Sequence, residues 1–269
     1  MTVARAVLGL LVVGAFGTAI AAGFLGVPPL WVTLPFAFVY VTVVQLGVYL
    51  PNLGVFQRAL VRGPRSVPAV ALTFDDGPHP VHTREVLALL DEFGAKATFF
   101  VLGAKAEKHP GVLREIAARG HAIGVHGYTH DRFFAMRSER RIRDDIERTI
   151  RIVRAETGES PRFIRPPLGF TTPRTSAVCR ALGLELVGYS ARAYDGLETS
   201  FDRLVLRVLP RIEAGAIVLL HDSAEVGDRR PMGVTALHAI LGRMRALGLS
   251  GVALPELSPR VDLGPAPGA

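Results

Sequence analysis

The segment TFDDGPHP, Thr73 to Pro80, puts two adjacent aspartates directly after an apolar run and directly before a Gly-Pro turn. Adjacent carboxylates repel, so a positive charge is expected beside Asp75 and Asp76. Other apolar runs end in titratable groups too. GVHGYTH supplies His126 and His130, RPPLG supplies Arg165, YSARAYDG supplies Asp195, and LLHD supplies His221 and Asp222. One carboxylate and two imidazoles can hold a divalent metal ion while leaving positions open for water and substrate. Such an ion would make two neighbouring acids tolerable. One acid could be a ligand and the other a base beside the water that the ion activates. Taken singly, the acid pair reads equally well as a solvated turn, and the histidines as loop residues. Together with His221 they point to a metal. His126 and His130 share a spacing that would put both on one face of a helix, but Gly124, Gly127 and Thr129 argue for a strand end and a turn instead.

The elements that must position these groups follow from the apolar pattern. Short runs occur at Val70–Phe74, Ala97–Leu102, Ala122–Val125, Arg162–Arg165, Leu184–Tyr189, Ala216–Leu220 and Gly251–Leu254. Helical stretches lie between most of them, one marked by the stripe Ile142, Ile146, Ile150 and Val153. Thr172-Pro173 reads as an N-cap with a first-turn proline, and Gly183 as the stop of that helix. Alternating strands and helices predict a parallel α/β fold, and about seven strands favour a closed, distorted (β/α) barrel. In such folds chemistry gathers at the C-terminal ends of the strands, where the polar groups above all fall.

The first fifty residues differ. Ala6 to Gly26 and Pro29 to Leu50 are uncharged and mostly apolar, each about as long as the ~20 residues a helix needs to cross a bilayer. A transmembrane helical hairpin turning at Val27-Pro28-Pro29 is the expectation. A signal peptide cleaved after Ala19-Ile20-Ala21 would leave the second span unexplained, and a buried helix pair would need a polar face that neither span has. The predicted organisation is a membrane anchor over 1–52, a linker over 53–68, a catalytic domain over 69–258 and a flexible Pro/Gly-rich tail over 259–269. The net charge is +7, but its arginines are scattered and no basic run carries interleaved aromatics, so nucleic acid is not an expected partner. No protein partner is expected either. The single cysteine, Cys179, excludes an internal disulfide and a cysteine-based zinc site, and reads as a buried helix residue.

TFDDGP, HGYTH, RPPLG, YSARAYDG and LLHD, in that order, resemble the five motifs of the polysaccharide deacetylases, the chitooligosaccharide-deacetylase-like carbohydrate esterases. The resemblance runs from about Val70 to Leu254. It implies a distorted (β/α) barrel and metal-dependent hydrolysis of N-acetyl groups on N-acetylglucosamine-type glycans such as cell-wall polysaccharide. By motif it implies that Asp75 is the general base and that Asp76, His126 and His130 hold one divalent ion, zinc or another such as cobalt. Arg165 would orient Asp75, and Asp195 would tune His221 as the general acid. Amide hydrolysis also needs a donor for the acyl oxygen, and the backbone N–H of Leu168, after the Pro166-Pro167 turn, is the simplest one.

Two departures matter. The family usually has an aromatic residue where Leu168 stands. Its fourth motif usually reads Asp-x-x-Asp-Trp, whereas here Arg192 replaces the first Asp and Gly196 replaces the Trp that walls the acyl pocket. The acyl group and the sugar are therefore open. A deacylase of a lipid-linked sugar precursor and a catalytically impaired glycan-binding relative are the alternatives. A non-haem iron oxygenase also uses two histidines and one carboxylate, but it needs neither Asp75 nor His221. Arg5, Arg58, Arg62 and Arg65 flank the hairpin and favour a cytoplasmic domain by the positive-inside rule. The resemblance to exported glycan enzymes favours a bacterial cytoplasmic membrane protein whose catalytic domain faces outward, and that is the expectation taken.

Overall fold

The computed structural model describes residues 3–26, 29–50 and 53–258. The two N-terminal apolar stretches form α1, Val3–Leu25, and α2, Leu30–Tyr49. Among the described residues, however, no helix is long and apolar enough to cross a membrane. This overturns the transmembrane hairpin. The membrane partner, the placement in a cytoplasmic membrane and the outward-facing domain fall with it. Physically, α2 contains Pro35, which offers no N–H to the helix. Its C-terminal end is engaged by the rest of the chain. The Thr171 N–H donates to Val48 O at 3.2 Å, and Thr171 Oγ1 donates to Gly47 O at 3.3 Å. Tyr49 meets Phe170 edge-on at 5.0 Å between ring centres. The proposed turn residues 27 and 28 and the tail 259–269 lie outside the described residues.

From β1, Ala69–Asp75, the chain alternates strands and helices: α3, His82–Glu92; β2, Thr98–Val101; α4, Gly103–Lys108; α5, Pro110–Ala118; β3, Ala122–Val125; α6, Glu139–Thr157; β4, Phe163–Ile164; α7, Pro173–Ala181; β5, Glu185–Leu186; β6, Ala191–Arg192; α8, Phe201–Val208; β7, Ile217–His221; α9, Met232–Ala246; β8, Ser250–Val252; and α10, Leu254–Leu257. All the strand pairings are parallel. The order is β5-β4-β3-β2-β1-β7-β6, and β8 pairs with the start of β1. β6, with only two residues, has no apolar run to announce it. Among the described residues no ladder joins β5 to β6, so the sheet is a half-barrel and not the closed barrel expected. Leu60 instead bridges to Val187 beside β5, and Arg62 bridges to Ala216 beside β7.

β1 is buried along its whole length, which is why it reads as an unbroken apolar run and not as an alternation. Leu72 and Phe74 pack into the layer with α3, Phe74 stacking on Phe99 at 5.2 Å, while Ala71 faces the side of Phe100 and Phe163. α6 buries Ile142, Ile146 and Val153 and presents its charged face outward. Ser138 caps its start by accepting from the Arg141 N–H, and Gly158 ends it at φ 76°. Thr172 likewise accepts from the Thr175 N–H at the start of α7. Cys179 is buried on α7, and desolvation pushes its thiol up to about 12.

Candidate active site

A cavity opens where the strands end. It is lined by groups at the ends of six strands, among them Asp75, Asp76, His126, His130, Arg165, Gly188, Tyr194 and His221. The register explains the convergence. Asp75 pairs with His221 across β1 and β7, so the last residues of two neighbouring strands reach the same level. His126 follows β3 directly, and its N–H donates to Val101 O at the end of β2.

Asp76 and Asp75 are both buried but have different neighbours. Asp76 adopts a left-handed φ of 71°, which turns its side chain away from that of Asp75. Its Oδ1 lies 3.4 Å from His126 Nε2 and 3.5 Å from His130 Nε2. The three ligand atoms lie within 4.8 Å of one another. His126 Nδ1 sits 2.6 Å from Arg165 O, an acceptor only, so Nδ1 carries the proton and Nε2 turns a lone pair toward Asp76. Asp76 Oδ1 is buried without a hydrogen-bond partner. A buried orphan carboxylate oxygen between two imidazole nitrogens fits a divalent cation in ligand type, in number and in the unmet need for charge. Burial alone would raise the Asp76 carboxyl, but the imidazoles of His126, His221 and His130 around it hold it well below the usual carboxylate range.

Asp75 meets a cation of the protein's own. Arg165 Nη1 donates to Asp75 Oδ1 at 2.7 Å and to Thr73 Oγ1 at 2.9 Å, while Nη2 donates to Gly188 O at 2.8 Å. The guanidinium is thus fixed on three sides. Across the cavity His221 Nδ1 lies 2.8 Å from Asp195 Oδ1, and the His221 N–H donates to Asp195 Oδ2 at 2.8 Å. Burial pulls the imidazole down, but Asp195, Asp75 and Asp76 outweigh it and push His221 up to about 9. Its Nε2 lies 4.0 Å from Asp76 Oδ2. Leu168 lines the cavity at φ 57° on the turn after Pro166-Pro167.

Among the described residues, the four non-glycine positions with positive φ are Asp76, His130, Leu168 and Tyr194, and all four line this cavity. Strain of this kind persists only where the surroundings enforce it, and it concentrates at functional sites. The sequence reading missed several supports. Glu225 Oε1 approaches His130 Nδ1 at 3.3 Å and accepts from Arg132 Nε at 2.8 Å. Lys105 Nζ donates to Asp76 O, Ser223 Oγ and Ala224 O at 2.7–2.8 Å, tying the loop after β7 to the end of β1. Asp145 Oδ1 on α6 accepts from the Tyr128 N–H at 2.8 Å, and at φ 86° Gly127 allows that turn to form. Lys105 lies shortly beyond β2, which is the one signal it carried. Of the histidines given no role, His121 is buried away from the cavity, accepting from the Ala97 N–H at 3.2 Å, and His79 stacks on His82 at 4.0 Å outside it.

The polysaccharide deacetylase pattern matches residues 62–187. The chain is 37% identical over 213 residues to a chitooligosaccharide deacetylase of Sinorhizobium fredii, covering 75% of this chain and 97% of that protein. It is 34% identical over 195 residues to a peptidoglycan-N-acetylglucosamine deacetylase of Bacillus cereus, covering 72% of this chain and 70% of that one. A solved family 4 acetyl xylan esterase from Clostridium thermocellum, in complex with a cobalt ion, superposes with a TM-score of 0.63 at 32% identity, over 71% of this chain and 90% of that one. The chain belongs to the polysaccharide deacetylase family.

Proposed function

We propose that this protein is a metal-dependent hydrolase that removes N-acetyl groups from N-acetylglucosamine-type glycans, with its catalytic unit in 69–258. The observation that carries the reading is the orphaned Asp76 Oδ1 between His126 and His130, flanked by a buried Asp75 and faced by His221. Relatives named for chitooligosaccharide and peptidoglycan substrates support the substrate class, and the relative holding cobalt supports the metal. Zinc is the first ion to test, from the Asp-His-His donor set.

Asp76, His126 and His130 would hold the ion, which supplies a charge that makes water nucleophilic near neutral pH and polarises the acyl oxygen. Asp75 accepts the proton of the attacking water, and Arg165 holds it aimed. The Leu168 N–H is placed in the role of donor to the developing oxyanion. His221, kept protonated by Asp195, gives its proton to the nitrogen as the C–N bond breaks, so acetate and a free amino sugar leave.

Acetate release from acetylated chito-oligomers, with zinc or cobalt added and a chelator control beside it, tests the reading. Release that the chelator abolishes supports it. Absence of release with either metal, while the oligomers still bind, would leave a glycan-binding protein with an impaired site.

A further inference from the structure

The cavity continues beyond His221 to Arg192. β6 pairs in register with β7, Arg192 opposite Leu219. Paired residues share a sheet face, and so do residues two apart, so Arg192 lies on the same face as Leu219 and His221. All three line the cavity. One strand over and two residues back, the Arg192 Cα is roughly 8 Å from that of His221, on the order of one sugar ring.

The surroundings of Arg192 are unusual for a half-buried cation. Its guanidinium lies over the Tyr194 ring at 4.5 Å and near the Tyr189 ring at 5.7 Å. Its Nη1 reaches Tyr189 Oη at a long 3.4 Å, and its Nε is buried without a partner. The other cavity arginines have acids: Arg165 has Asp75 and Arg132 has Glu225. Among the described residues Arg192 has none. Two rings hold the planar group stiff and half dry, with no acid on its donor fork. The φ of 57° at Tyr194 is part of that arrangement. A preorganised guanidinium without a counter-ion, inside a substrate cavity, fits an anion that arrives with the substrate.

We infer that Arg192 is an anion subsite, and that the glycan deacylated here carries an acidic group, carboxylate or phosphate, within about one sugar ring of the reacting acetamide. The inference rests on the deacetylase reading for its substrate. The acid has two possible sources: the lactyl carboxylate of a neighbouring muramic acid, or a phosphate on the amino sugar.

The test uses the full chain loaded with zinc or cobalt and two matched pairs. One pair is the N-acetylglucosaminyl-N-acetylmuramic acid disaccharide and its methyl ester. The other is N-acetylglucosamine 1-phosphate and the methyl glycoside. At least one acid is expected to exceed its neutral partner roughly 10-fold in kcat/KM, mainly through KM, as a charge-assisted contact would give. The pair that shows the preference identifies the source. Arg192→Gln should bring that ratio close to one, and Arg192→Lys should restore part of it. Added salt should narrow it in the parent without any mutation, which keeps the test valid if a variant misfolds. Ratios near one for both pairs in the parent, or a ratio unchanged in Arg192→Gln, would overturn the subsite. If no substrate is turned over, the deacetylase reading fails, and calorimetric binding of the same sugars then tests Arg192. Acid-dependent affinity lost in Arg192→Gln would support it, and equal affinity for acid and ester would overturn it.

Discussion

Asp195 holds His221 twice. One carboxylate oxygen faces the ring Nδ1 at 2.8 Å and the other accepts the His221 backbone N–H at 2.8 Å. A fully buried acid thus fixes both the orientation of the ring and its tautomer, and leaves Nε2 toward the cavity. Burial works against the imidazolium, and the Asp195 charge is the largest influence that restores it. A general acid acts only while protonated, so the rate falls as pH rises through its pKa. Asp195→Asn removes the charge but keeps the shape. The alkaline limb of kcat should move to lower pH by roughly one unit or more, the size of a close charge effect. A pH-rate profile in which that limb stays put would remove Asp195 from this role.

Asp75 and Arg165 form a buried pair at 2.7 Å, and the two variants of this pair should fail in different ways. Asp75→Asn should keep the bound metal and lose about 10²–10⁴-fold in turnover, because an amide cannot accept the proton of water. Arg165→Met strands a buried carboxylate and should cost about 3–5 kcal/mol of stability, visible in thermal melting. The double variant should recover part of that loss but none of the turnover. Parental turnover in Asp75→Asn would make Asp75 structural.

For the metal, two residues at different remove are informative. His126→Ala deletes a proposed ligand and should lower zinc affinity, measured by equilibrium dialysis, by roughly 10-fold or more. Glu225→Gln leaves every ligand in place but weakens the group facing His130 Nδ1 and should cost less, on the order of 10-fold at most. Unchanged metal content in the His126 variant would sink the ligand set.

What could be read without coordinates was the part governed by strand ends. Asp75, Asp76, His126, Arg165 and His221 each follow a buried apolar run, and in a parallel sheet such residues must meet at one edge. Asp195 follows the two-residue β6, which no period could announce; it stood out as an acid beyond the Leu184–Tyr189 run, and the family motif gave it its role. Glu225, Asp145 and Arg132 stand in loops or on a helix flank, where nothing local distinguishes a residue that reaches the site from one that faces solvent. The N-terminal stretches misled for a different reason. Apolar length alone suggested spanning helices, whereas the end of α2 is bonded to Thr171, more than a hundred residues away, and such a contact leaves no local trace.

Gly196 sits against the ring of His221. A Cβ there would meet only that ring, at 3.8 Å, so the position has room for a side chain. In relatives of this family a tryptophan walls the acyl pocket at this point. Without that ring, formyl, acetyl and propionyl amides of one sugar should be hydrolysed with little discrimination. Gly196→Trp should sharpen the preference toward the smaller acyl groups. A sharp acetyl preference in the parent, untouched by the substitution, would show that another side chain closes the pocket.

Asp222 offers a prediction about stability rather than turnover. It is wholly buried, and its Oδ2 accepts from Thr83 Oγ1 at 2.5 Å. Its carboxylate fills the space beside Gly77, where any Cβ would collide with it. Desolvation dominates, with Thr83 and Lys105 opposing, and the carboxyl is pushed up to about 7. The folded protein therefore holds a proton that the unfolded chain releases near pH 4. Stability from this group is present below about pH 4 and is lost as pH rises toward 7, at about 1.4 kcal/mol per unit. His121 acts in the opposite sense. Its burial lowers it to about 4, so its contribution grows with pH between about 4 and 6.5. Bulk melting curves would mix the two effects, and a comparison of variants separates them. Asn mimics the protonated acid, so Asp222→Asn should melt close to the parent at pH 4 and gain on it by pH 7, over the range in which the folded parent must hold a proton that its unfolded chain has released. A gap between the two proteins that is the same at both pH values would mean that Asp222 is already ionised at the lower one.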